Sequence, residues 1–235
     1  MVGRGVLVYG IVFTLVVIFT IFPISITADA AIKELKFDQE KILEGHSDVI
    51  TVIDSPAPSI SIISNEDFES GFNTWTNTVG DDNDCWDLDS SGTPTGNTGP
   101  SAGAAATTFY VFYESSAGCS AEFDQAFLLG PTIDFDTFNS VQVQFSRHMW
   151  DGGAWNGDDM GRLALELEDS PGSGTFTEVW FQQGSQGNQW DLITIDLSSE
   201  NGSGPRQLRF VATDITVGAQ SDMAVDEITI QAVGV

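Results

Sequence analysis

Glu166 and Glu168 stand two residues apart on a run that alternates Leu163, Leu165 and Leu167 with polar side chains. Residues so spaced on a strand share a face, and paired carboxylates are what glycoside hydrolysis needs. The three leucines define the other face as core, so the pair is expected to face solvent, and its flanking sequence does not look like a glycosidase motif. Histidine chemistry has little to draw on, since His46 and His148 are the only histidines. His148 ends a strand, where a hydrogen bond at the core edge is the plain reading. A serine nucleophile would lack any base but these two, and no His/Cys cluster has zinc spacing. No residue is therefore assigned a catalytic role. Oxygen-rich sites are the better prospect: Asp81, Asp82 and Asp84 form one acidic cluster, which a loop of like charge usually just solvates, and Asp226-Glu227 another. Trp150 and Trp155 flank Asp151-Gly152-Gly153-Ala154 in a Gly/Asp-rich loop. Such a pair either stacks on sugar rings or fills a partner's pocket, or else folds back over a sheet edge.

The elements that must position these residues are strands. Val141, Val143, Phe145 and Met149 alternate with polar residues, interrupted by Arg147; Ile193, Ile195 and Leu197 follow, then Leu208, Phe210 and Ala212. Gly- and Ser-rich turns bound each run, as at Ser170-Pro171-Gly172 and at Asn201-Gly202-Ser203, which is also a glycosylation sequon. No convincing amphipathic helix follows residue 48. The pattern predicts an all-β antiparallel sandwich or barrel with wet outer faces. Trp86 and Leu88 open a strand that dissolves into a loop of Ser, Gly, Thr, Pro and Asn up to Pro100, bounded by the aromatic strand Phe109 to Tyr113. In the last strand Met223 and Val225 are in odd register whereas Ile228, Ile230 and Ala232 are even. The switch predicts a bulge at Asp226-Glu227, where the carboxylates either ligate a cation or guard an edge.

The 235 residues carry 34 acidic and 8 basic side chains, a net charge of -26. Such a surface repels phosphates, which excludes nucleic acid as a partner. It fits solubility in a saline medium, divalent cation binding, or both. Residues 1–30 read as a targeting segment: Arg4 precedes an apolar run from Val6 to Phe22, Pro23 breaks it, and Ala28-Asp29-Ala30 fits signal-peptide cleavage. Uncleaved, the run is almost long enough to anchor the chain in a membrane, the one membrane contact expected. Either outcome places the remainder outside the cytoplasm, extracellular or at the cell surface. Residues 31–61 hold every lysine (Lys33, Lys36, Lys41) and the stiff Ser55-Pro56-Ala57-Pro58-Ser59. They read as a linker or a short β segment, and 62–235 as the main domain.

Over about Asn65 to Gln231 the chain resembles the MAM domain, an extracellular adhesion and recognition module. The resemblance is carried by Asp67-Phe68-Glu69, Trp75, Trp86 and the Gly92-Thr93-Pro94-Thr95-Gly96-Asn97-Thr98-Gly99-Pro100 loop. Further on come Phe109 to Glu114, His148-Met149, Met160 to Leu163, Trp180, Gly187 to Trp190 and Met223 to Ile228. It implies a jelly-roll sandwich of two antiparallel sheets, with Trp75, Trp86, Trp180 and Trp190 in or near the core. It departs from animal versions in having Glu66 where they carry a cysteine, and is closest to cysteine-poor microbial ones. Only Cys85 and Cys119 are present, and in an exported protein such a pair is expected to form a disulfide.

Jelly-roll modules of this kind often tie first and last strands together with a structural calcium ion. The matching positions are Asp67, Glu69 and Asp226, with Asp222 and Glu227 as outer candidates. The resemblance implies noncatalytic adhesion to an extracellular protein. The alternative is a carbohydrate-binding module using the Trp150/Trp155 loop on a glycan, and a glycoside hydrolase-like jelly roll is the weaker third reading.

Overall fold

The alternating runs fold as antiparallel strands in a computed structural model, which describes residues 59–78, 85–115, 125–152, 160–215 and 221–234. The expectations for residues 1–30, for all but the end of 31–61, and for Asp81, Asp82 and Asp84 lie outside these residues. The strands are β1 (Ile60–Glu66), β2 (Thr76–Thr78), β3 (Trp86–Asp89), β4 (Tyr110–Tyr113), β5 (Gln125–Asp134) and β6 (Phe138–Met149). Then follow β7 (Arg162–Glu168), β8 (Phe176–Gln183), β9 (Gly187–Asp196), β10 (Pro205–Thr213) and β11 (Met223–Gly234). The only helical pieces among the described residues are 3-10 turns at Ala104–Ala106 and Ser198–Glu200.

The first sheet runs β3-β4-β11-β6-β9 and the second β2-β5-β10-β7-β8, every pairing antiparallel. This is the expected two-sheet sandwich. β11 pairs with β6 on one side; on the other it pairs first with β4, through Met223–Val225, and then with β1, from Ile228 onward. The handover falls at the bulge predicted from the register switch. The pairing with β6 slips between Asp226 and Thr229, and Glu227 takes the left-handed backbone (φ 51°).

Inward side chains of both sheets form one core. Phe145 of the first sheet packs edge-on against Phe210 (4.8 Å) and Trp180 (5.1 Å) of the second, and Trp75 tilts onto Phe210 at 5.4 Å. Strand parity also turns Arg147 inward, where it is 4 % exposed and ion-paired with Asp191 of β9. On the outer face of the second sheet Arg209 lies between Phe127 (4.3 Å) and Phe176 (4.0 Å) and bonds Glu166.

Glu168 departs from the expectation that it faces solvent with Glu166. It is buried, and its Oε1 accepts from the Gly174 N–H at 2.9 Å, closing the turn between β7 and β8. Glu166 itself is held by Arg209, so the two carboxylates serve a turn and an ion pair.

Gly130 of β5 faces the Trp75 ring, and a Cβ there would stand 2.6 Å from its Cζ3. Trp75 is 1 % exposed and has no room to yield. Gly130→Ala is therefore expected to cost about 1–3 kcal/mol and to lower the melting temperature by several degrees. Thermal unfolding followed by near-UV circular dichroism checks this, and an unchanged melting temperature would refute the packing.

Candidate functional site

The segment from Ser90 to Phe109 crosses the outer face of the first sheet. Its backbone groups have no ladder to join there, and the sequence satisfies them with side chains from five directions. From β4, the Tyr110 hydroxyl donates to the Pro100 carbonyl (3.0 Å) and accepts from the Gly92 N–H (3.1 Å). Burial, with the Asp89 charge second, pushes this phenol up to about 12. From the residue before β11, Asp222 accepts from the Thr98 hydroxyl at 2.6 Å and, through its other oxygen, from Ser115 N–H and Oγ. Within β11, Asp226 accepts from Ala104 N–H (2.8 Å) and the Thr107 hydroxyl (2.7 Å) with one oxygen, and from Glu227 N–H (2.7 Å) with the other. From the turn after β1, Glu69 accepts from the N–H groups of Thr108 (2.5 Å) and Phe109 (2.7 Å). From β9, the Trp190 indole donates to the Ala102 carbonyl at 3.0 Å.

The expected cation ligands Asp67, Glu69 and Asp226 thus gather where first and last strands meet. Glu227 stands close enough that, after burial, the charges of Asp67 and then Glu69 raise its carboxyl. Burial is likewise the main cause that pushes Asp226 up to about 6, against the donors that hold it. Among the described residues no basic group relieves them, because all four arginines there are ion-paired elsewhere, with Asp191, Glu178, Glu200 and Glu166. The donor set, oxygens only and net negative, is the chemistry a hard cation takes. As placed, however, no three acidic, histidine or cysteine side chains among the described residues stand close enough to hold a metal ion. A cation here would need further oxygens, such as backbone carbonyls. Asp222 belongs to a different group, a cage of hydroxyls around Thr98 and Ser115. Glu66, at the position of the animal cysteine, is buried and accepts from Phe68 N–H (3.0 Å) and Asn73 (2.8 Å), holding the turn after β1.

Trp150 is half-buried, and its carbonyl accepts from Gly99 N–H at 3.4 Å, pinning the same segment from β6. Trp155 and Cys119 lie outside the described residues, so neither the tryptophan pair nor the Cys85–Cys119 disulfide is placed; Cys85 is 5 % exposed in the core.

Trp75 and Trp86 are core residues and Trp180 packs on the core, as the resemblance implies. Trp190 is near-core too, but on the outer face, packed on a second, smaller buried cluster of Tyr110, Phe112 and Ala224. His148 is 1 % exposed beside it, ring centroids 5.4 Å apart, and its Nε2 meets Asn188 Oδ1 at 3.0 Å. Burial lowers this imidazole, so it is neutral at physiological pH. Sequence parity held the signal, since Trp190 is out of phase with the inward Ile193 and Ile195.

The architecture is that of antiparallel β-sandwich modules, here with a long strapped loop on one outer face. Residues 67–233 match the MAM domain, meprin/A5/mu, and the chain belongs to that family. A cleaved adhesin domain of Lys-gingipain from Porphyromonas gingivalis shares the fold with a TM-score of 0.51 at 17 % identity, over 75 % of this chain and 99 % of that one. A second such domain gives a TM-score of 0.49 at 13 % identity, covering 73 % and 100 %. The CBM22-1 xylan-binding domain from Paenibacillus barcinonensis Xyn10C gives 0.44 at 16 % identity, covering 76 % and 99 %. At these identities the likeness is one of fold, and only the first structure is near enough to bear on it.

Asp226 gives the site a pH signature. Its carboxyl is raised from 3.8 to about 6, so the folded chain holds this proton more tightly than the unfolded one. The stability it contributes is full below the unfolded value and lost as pH rises through about 6. In chelator, Asp226→Asn should gain on the native chain between pH 4 and pH 7, by roughly 2–3 kcal/mol at most. Urea unfolding at the two pH values checks this; a difference independent of pH would remove the buried charge from the account.

Proposed function

We propose that the chain is a noncatalytic recognition module that acts outside the cytoplasm, at or near the cell surface, and engages an extracellular protein or glycan. Membership of the MAM family over residues 67–233 is the observation that carries this. The strapped loop supports it: a surface fixed by buried side chains loses little conformational freedom when a partner docks. Carbohydrate is the second reading, favoured by the uncharged polar side chains beside Trp190. The expected test is retention of a protein or glycan on beads carrying the full chain, released unchanged on washing. Turnover of the retained glycan would overturn the noncatalytic reading.

Within the same proposal, calcium joins the turn after β1 to the β11 bulge through Asp67, Glu69 and Asp226. The uncompensated carboxylates there support it, and Glu227 is the adjacent oxygen donor. Calcium at 100 times its dissociation constant would add about 2.7 kcal/mol. For a domain of this size the melting temperature should then rise by roughly 5–10 °C over its value in chelator. Asp226→Ala should abolish the rise. The same rise from sodium chloride at matched ionic strength would mean general charge screening and no calcium site.

A further inference from the structure

A cleft of about 180 Å³ opens on the outer face of the first sheet, between Pro100–Gly103 of the strapped loop and His148, Asn188, Gln189 and Trp190. Although the chain carries 34 acidic residues, no charged side chain among the described residues lines this cleft. An anion would meet the net charge of -26, and the carboxylate beside this wall, Asp191 bonded to Gln189, is already paired with Arg147 and offers a cation little. The ligand that suits these walls is neutral and polar. The volume equals that of about six water molecules in the liquid, below the roughly 300 Å³ of a pocket for a drug-sized ligand, and matches a single six-membered ring.

The walls are set before any ligand arrives. The Trp190 indole is tied to the Ala102 carbonyl at 3.0 Å and wedged edge-on between Tyr110 (5.9 Å) and His148 (5.4 Å). Gly103 is held against the loop behind it, because a Cβ there would stand 2.4 Å from Thr107 Oγ1. With Asn188 Oδ1 accepting from His148 Nε2, the exposed Asn188 amide keeps its NH2 as donor. Gln189 spends its NH2 on the Asp191 carboxylate (2.9 Å), which pairs with Arg147. His148 Nδ1, buried, has no hydrogen-bond partner. An amide donor beside an aromatic ring meets a sugar's hydroxyls and its C–H face.

The sheet continues the track. Beyond Trp190 on the outer face come Leu192 (68 % exposed) across from Ser146, then Thr194 across from Gln144, the Arg147–Asp191 pair lying on the other face. We propose that the cleft binds one neutral sugar ring of a longer glycan chain, with Trp190 as platform and Asn188 as the hydrogen-bonding group, the next sugars lying along Leu192 and Thr194. This rests on the recognition reading and names its ligand class.

The test titrates the full chain with neutral hexasaccharides of the xylo-, gluco-, manno- and galacto-series, with oligogalacturonate as the charged comparison, following the Trp190 indole N–H by NMR. The expected result is saturable binding of at least one neutral series and none of the charged one. Asn188→Ala should weaken it about five- to tenfold and Trp190→Ala at least tenfold. Asn188→Ala leaves buried His148 Nε2 without its acceptor and lowers the melting temperature, so its binding is read well below its own unfolding transition, and it stays informative even if the Trp190 variant does not fold. Binding unchanged in Asn188→Ala, or lost only in Trp150→Ala, would overturn the cleft and leave the recognition reading standing. Retention of a protein partner with no neutral sugar bound would overturn the glycan assignment. If beads carrying the full chain retain no partner of either kind, the recognition reading fails with it.

Discussion

Two aspartates at and before the start of the last strand hold the outer surface of this domain together. Asp222 and Asp226 are each 0 % exposed, and each places its carboxylate under the strapped loop to receive donors that no strand is near enough to take. A loop over a sheet face faces a general difficulty: its N–H groups are withdrawn from water without gaining a ladder. Carboxylates solve it strongly, since a hydrogen bond to a charged acceptor is worth more than one to a carbonyl. The same choice creates the opposing term, a desolvated negative charge, which raises both groups. The loop's order and the acidity of its supports are one compromise.

The bulge at Asp226-Glu227 is where that compromise meets topology. β11 must serve β4 and then β1 along one side, and the slip in register gives it an irregular pair of residues at the changeover. An inward hydrophobic residue would be wasted at a position where the face switches, whereas a carboxylate can turn to the loop. Asp67 and Glu69 arrive at the same place because the turn after β1 begins where its pairing with β11 ends, at Glu66 and Ile228. First and last strands therefore bring their acids together through pairing alone.

The strands were legible because inward and outward residues alternate, and the bulge was legible because that alternation changes phase within Met223 to Ala232. The same parity turns Trp190 away from the main core and onto the smaller cluster of the outer face. Partners of the buried acids were not legible: Thr98, Ala104 and Thr107 are separated from them by more than a hundred residues, and no local pattern marks a loop residue as a donor to a distant strand. Glu168 was misread for a related reason, since what buries it is the turn it closes, a feature invisible in the strand's own alternation.

The pairing of β1 with β11 bears on how the domain carries load. Ile60 faces Val233 at one end of the ladder and Glu66 faces Ile228 at the other. Tension applied between the start of β1 and the end of β11 acts at a single end and opens the ladder rung by rung, as a zip opens. Tension between the start of β1 and something held under the strapped loop acts lengthwise. It loads every rung of the β1–β11 ladder at once, because the loop is fastened to β11 at Asp226, before β1 begins to pair. A domain tethered through its first strand and gripping through this face would be mechanically firm in use and soft along the line joining its own two terminal strands.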